Sequence, residues 1–138
     1  MKFEIKKGKH RSGLHFKPVL FGGKTVKVSF KIECYYYDNS NIQLREQINK
    51  IYGYSNGFRH HHYNSERVGF RLLGGSKIEV LKYYYENGHR HYISLGEFNL
   101  FEWIHVEIKK PLFGYTLFPY FGGVEPAPSD INFQIIID

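Results

Sequence analysis

The chain has 138 residues, 19 Lys and Arg against 13 Asp and Glu, and 18% aromatic side chains; that length suits one domain with its own core, so residues 1–138 are read as a single unit. The single cysteine, Cys34, excludes an intramolecular disulfide framework and falls on an alternating apolar face, where a buried thiol is expected rather than a nucleophile. No run of about 18 apolar residues offers a membrane helix, and Met1 to Lys9 alternates charged with apolar residues instead of resembling a signal peptide, so a cytoplasmic protein or part of a virion is expected.

The charge is unevenly placed. Residues 1–31 hold nine basic residues against Glu4, a net +8, while residues 32–138 hold ten basic and twelve acidic, a net −2. A basic N-terminal segment can attract phosphate polymers or an acidic surface. However, no RNP or zinc-knuckle motif accompanies Lys6, Lys7, Lys9, Arg11, Phe16 and Lys17, so a solvated strand face plus a loop is the preferred reading and nucleic acid is not the expected partner.

In chain order, Phe3 and Ile5 alternate with Lys2, Glu4 and Lys6, which predicts a short half-buried strand. Gly8 to Pro18 reads as a loop, and Phe21-Gly22-Gly23 as a turn. From Thr25 the alternation is strict, with Val26, Val28, Phe30, Ile32 and Cys34 on one face; Tyr35-Tyr36-Tyr37 extends this strand toward the turn residues Asp38 to Asn41. Leu44, Ile48 and Ile51 have helical spacing, so one short helix is predicted within Ile42 to Tyr52, capped by Asn41. Gly53 to Ser65 lacks apolar periodicity. Arg67 to Leu95 then reads as three antiparallel strands, turning at Gly74-Gly75 and at Asn87-Gly88, the second being the residue pair that a two-residue type I′ hairpin prefers. Phe98 to Lys110 gives another strand, ended by Pro111. Tyr115 to Tyr120 is a short strand before a Pro/Gly loop, and Ile131 to Ile137 is apolar enough to be central. Seven to nine strands, one helix and no βαβ alternation predict an all-β, antiparallel two-sheet β-sandwich of jelly-roll type with one short helix; a small closed barrel is the alternative.

Few residues fit catalysis. No Gly-x-Ser-x-Gly elbow, phosphate loop or facing pair of strand carboxylates of the glucanase kind is evident, so the chain is not expected to be an enzyme. His60-His61-His62 invites a metal, but consecutive strand residues alternate faces and cannot converge without an irregular loop, so neither a metal nor a cofactor is expected. The aromatic and polar positions are more suggestive. Trp103 with His105, Tyr83 with Tyr85, Arg67 with Arg71, and His91 and Tyr63 supply the flat rings and hydrogen-bonding groups on which a sugar can stack and be held; the competing reading is a second core layer or a subunit contact.

The runs Asn64 to Arg71, Ile78 to Arg90 and Pro119 to Asp130 resemble lectin-like β-sandwiches of the concanavalin A and laminin-G type, over about half the chain. The resemblance implies sugar or surface binding, often with calcium, to which Asp38 and Asp130 would contribute; the paired Asp and Asn ligands of legume lectins have no evident match here. The expected function is a non-enzymatic module whose aromatic face or end loops, Tyr54 to Tyr63 and Gly122 to Asp130, bind a carbohydrate or a protein surface. The alternative is a structural component of a larger assembly, such as a phage virion decoration or fibre protein, in which the chain would form a homo-oligomer.

Overall fold

The structure is a computed structural model, described for residues 1–36 and 40–138. Tyr37, Asp38 and Asn39, predicted to finish a strand and begin a turn, lie outside the described residues. Ten strands and one helix follow in order: β1 (Lys2–Ile5), β2 (Pro18–Leu20), β3 (Lys24–Cys34), α1 (Ile42–Glu46), β4 (Asn49–Asn56), β5 (Ser65–Gly74), β6 (Lys77–Glu86), β7 (His89–Asn99), β8 (Ile104–Lys110), β9 (Phe113–Leu117) and β10 (Ile131–Ile137).

Two antiparallel sheets form, one ordered β1-β10-β3-β8 and the other β2-β9-β4-β5-β6-β7. Without β6 and β7, each sheet has four strands, and every connection crosses between sheets except the β4–β5 link. That is jelly-roll connectivity, with the β6–β7 hairpin added at the end of the second sheet. The predicted two-sheet sandwich is therefore present, with β10 central as expected.

The core follows from alternation. Val26, Val28, Phe30, Ile32 and Cys34 of β3 are buried together with Ile131, Phe133 and Ile135 of β10 and Val106 and Ile108 of β8. From the opposite sheet, Val68, Phe70 and Leu72 of β5 meet them; the Phe70 and Phe133 rings pack edge to face at 6.0 Å. Cys34 is a buried free thiol whose sulfur lies 3.2 Å from the Ser129 hydroxyl.

The central hairpins also form as predicted. Asn87 (φ 51°) and Gly88 (φ 82°) both adopt positive φ between β6 and β7, the requirement of the primed turn that Asn-Gly favours. At the other end of β6, Gly74 (φ 92°) and Gly75 (φ 57°) turn the chain after β5.

Three expectations are corrected. The helix stops at Glu46, well short of Tyr52; Asn41 caps it, accepting the Leu44 amide at 3.1 Å, and Gln47 is already extended. Leu44 and Ile48 share helical spacing but not a face: Leu44 enters the main core, while Ile48 joins Leu81 and Tyr83 in a separate cluster. Asn49 to Asn56, read partly as helix and partly as loop, is instead β4, a strand hydrogen-bonded to β5 and β9. Buried on both faces, it lacks the alternation that marks a half-buried strand. Lastly, β2 arises at the end of the expected N-terminal loop, and the strand expected at Tyr115 to Tyr120 runs from Phe113 to Leu117, pairing with both β2 and β4.

Candidate functional site

The outer face of the six-stranded sheet carries an open cleft of about 870 Å³. Its floor begins with a pairing across strands. Gly53 of β4 stands opposite Arg67 of β5, and a Cβ on Gly53 would lie 2.6 Å from Arg67 Cα and 2.7 Å from its Cγ. The absent side chain is what lets Arg67 lie flat across β4. Arg67 is only 5% exposed, yet its Nε has no hydrogen-bond partner and no carboxylate pairs with it among the described residues. Burial draws its pKa down from 12.5 to about 10, against an opposing pull from the surrounding tyrosines, Tyr83 first among them.

One strand position earlier than a bulge in β4, Lys50 faces the same cleft. Its ammonium lies 4.7 Å from the centroid of the Tyr83 ring and 6.0 Å from that of Tyr120. Its backbone exchanges two hydrogen bonds with Tyr120, at 2.8 and 2.9 Å. Burial, then repulsion from Arg67 and Arg90, lowers the Lys50 pKa from 10.5 to about 8.

Tyr83 and Tyr85 of β6 form one wall, with their hydroxyls 3.3 Å apart. Burial and this hydrogen bond raise the Tyr83 pKa and keep its phenol protonated. Opposite them come Tyr115, Tyr120 and the segment Arg11 to Phe16, and Phe58 to His62 closes one end. The histidine turn is tied to the central hairpin: the Gly88 amide donates to the Tyr63 carbonyl at 2.9 Å, and the Asn87 amide donates to Asn64 Oδ1 at 3.1 Å. The His62 ring stacks on Tyr85 at 4.7 Å.

His60, His61 and His62 are the residues that could hold a metal, their ligand atoms all lying within 4.8 Å of one another. The strand-alternation objection does not apply, because they sit at an irregular turn. Two features oppose a cation here. His60 Nδ1 accepts the His62 amide at 3.2 Å, which leaves the proton on the other ring nitrogen. The field of Arg67 and Lys50 also reaches the cluster: burial, Arg67, the two neighbouring histidines and Lys50 together lower the His61 pKa from 6.5 to about 3, and burial with the same kind of repulsion lowers that of His62. The arrangement suits neutral imidazoles serving as hydrogen-bonding groups.

The residues expected to share one surface are divided. Tyr83 and Tyr85 line the cleft. His105 belongs to the other sheet and Trp103 to the connection just before its strand β8, since the strand expected over Phe98 to Lys110 is divided between β7 and β8: the Lys31 ammonium of β3 lies 5.7 Å from the Trp103 ring centroid, and His105 Nδ1 meets the Ser29 hydroxyl at 2.6 Å. His91 lies opposite Tyr84 and stacks on it at 5.0 Å, which turns it away from the face of Tyr83 and Tyr85. Arg71 pairs with Glu79 at 3.0 Å and donates to the Glu46 carbonyl at 2.9 Å. Tyr63 sits under the Arg59 guanidinium at 4.5 Å, beside the cleft and not in its lining. Of the two end loops, only the first reaches the cleft; in the second, Gly122 donates to buried Asn49 at 3.1 Å and Ala127 is buried. For calcium, Asp38 lies outside the described residues, and Asp130 Oδ1 accepts the Lys7 amide at 2.9 Å.

Of the cations at the floor, Arg67 was legible with Arg71 as an outward polar position beside the aromatic residues, and Lys50 was not. Arg67 does alternate with the inward Val68 and Phe70, which places it outside, but only the long-range pairing with Gly53 buries it. Comparison with protein-family models, curated proteins and solved structures found no match.

Proposed function

We propose that the chain is a non-enzymatic binding module that takes a carbohydrate in this cleft. The observation that carries the reading is the cleft's composition: rings from Tyr83, Tyr85, Tyr115 and Tyr120 surround polar nitrogen donors, and its described lining contains no Asp or Glu. A sugar has an apolar face to stack on such rings and hydroxyls to accept from the donors. Glycosidic hydrolysis, in contrast, ordinarily calls on two facing carboxylates. The cleft is also within the size range of small-ligand sites, roughly 300–1,000 Å³. The lectin-like resemblance points the same way, by analogy of fold alone.

Glycan-array screening followed by titration of the hits tests the reading. Binding that weakens on Tyr85→Ala while the circular dichroism spectrum persists supports it. A chain that binds no glycan across acidic and neutral sets sinks it.

A second reading, a component of a larger assembly, is favoured by β7. This edge strand of eleven residues leaves Tyr92, Ile93 and Leu95 exposed at 47%, 53% and 38%, and an unpaired edge can template a further strand. Light scattering on the purified chain tests it: a trimer or larger ring supports assembly, and a monomer at all concentrations counts against it.

A further inference from the structure

The cleft concentrates positive charge without a counter-charge. Arg11, Lys50, Arg59 and Arg67 all line it, and no carboxylate does so among the described residues. Elsewhere the chain pairs its cations where acids are at hand, as Arg71 with Glu79, Lys82 with Glu66 and Lys31 with Glu33. The cleft departs from that pattern at its deepest point. Arg67 is the more telling of the two floor residues, because a guanidinium removed from water normally has an acid or several acceptors around it. Here it has the faces and hydroxyl-bearing edges of tyrosines, with its charged carbon 5.8 Å from the Tyr83 ring centroid. Cation–π contact replaces part of the lost hydration, but it leaves Nε without an acceptor.

We infer that the floor of the cleft is a seat for an oxyanion, with Arg67 and Lys50 receiving a carboxylate, sulfate or phosphate group carried by the sugar, so that the ligand class is acidic carbohydrate. This rests on the carbohydrate reading above and sharpens it. The guanidinium presents a planar fork of donors suited to two oxygens of such a group, and the ammonium adds a point charge beside it. The tyrosine and histidine walls would then hold the ring of the sugar while the anionic substituent sits below. The lowered pKa of Lys50 is consistent with this geometry: burial, and then repulsion from Arg67 and Arg90, disfavour its charge, and no carboxylate of the described lining offsets them.

Isothermal titration of the full chain with glucuronic acid, glucose 6-phosphate, glucose 6-sulfate, glucose and inorganic sulfate separates the possibilities. At least one acidic sugar should bind tenfold or more tightly than glucose, with affinity falling as sodium chloride rises. Arg67→Gln should abolish the preference for the acidic form. Because Arg67→Gln removes an uncompensated buried charge, the variant should remain folded; Lys50→Gln, at a less buried position, gives an independent arm and should reduce the preference at least threefold. Glucose or other neutral glycans binding as tightly as the acidic ones overturns the oxyanion seat and leaves the carbohydrate reading standing. Inorganic sulfate binding with no sugar doing so supports the seat and overturns the carbohydrate reading. Retention of the full acidic preference in both Arg67→Gln and Lys50→Gln overturns the assignment to these residues.

Discussion

The Lys50 ammonium stands 4.7 Å from the centre of the Tyr83 ring, so a charge on β4 is held against an aromatic face on β6 across the intervening strand β5. This places a titratable group where both sheet packing and ligand binding can be read through pH. Its pKa is about 8 in the fold against 10.5 ordinarily, so the unfolded chain holds more protons between those values. Stability contributed through Lys50 therefore rises as pH increases from 8 toward 10.5. Arg67, whose pKa is drawn down to about 10, and Tyr83, whose pKa is raised, titrate toward the upper end of that window, so the contribution of Lys50 is read as the difference from a variant without the ammonium. Thermal melts across that window should show a rising melting temperature in the wild type and a flatter profile in Lys50→Met.

His61 gives a slope of the same sign in a more acidic window. Its pKa of about 3 in the fold, against 6.5 ordinarily, means that the unfolded chain takes up the proton first as pH falls from 6.5 to 3. Denaturation midpoints should decline through this range, and His61→Gln should decline less steeply.

Gly53→Ala tests the floor of the cleft. The new Cβ would collide with the Glu66 carbonyl and with Arg67, forcing β4 and β5 apart or lifting the arginine. Urea unfolding should show a loss of about 1–3 kcal/mol, the usual cost of overpacking, and the acidic-sugar preference should fall along with it.

Trp103→Ala and Tyr85→Ala should differ in their effects. Trp103 lies just before β8, against Lys31 of the sheet that does not carry the cleft, while Tyr85 stacks against His62 within it. Titration with a cleft ligand should be unchanged within about twofold for Trp103→Ala and weakened about tenfold for Tyr85→Ala, equivalent to about 1.4 kcal/mol.

Asn87→Val places a β-branched side chain at φ 51°, a region such residues rarely occupy. It should cost about 1–3 kcal/mol in urea unfolding. The same substitution should loosen the histidine turn, which hangs on the Asn87 amide, and this can be followed through the His61 and His62 ring resonances.

How much of this was visible in the residues varies by element. β3 and the Asn87-Gly88 hairpin were legible because alternation and turn chemistry are local properties. β4 was not: a strand paired on both sides and buried on both faces shows no period of two, and Leu44, Ile48 and Ile51 happen to imitate a helical face. The site was legible in part. Tyr83 and Tyr85 could be placed on one face from spacing alone, but which sheet lies behind Trp103, and that Gly53 opens a berth for Arg67, depend on strand order and register between segments distant in sequence. His91 was misaligned with Tyr83 because opposite positions on paired strands, and not similar residue types, decide who shares a face.

The β6–β7 hairpin has a consequence beyond its place in the strand order. The eight other strands form the sandwich by themselves in topology, while the hairpin supplies Tyr83 and Tyr85 to the cleft. The cleft thus has two sources: its tyrosine wall comes from the hairpin, while its floor cations Lys50 and Arg67 come from β4 and β5 of the frame. The outward positions of the hairpin can therefore change the tyrosine wall without touching the inward Ile78 and Val80, which anchor the hairpin to the main core.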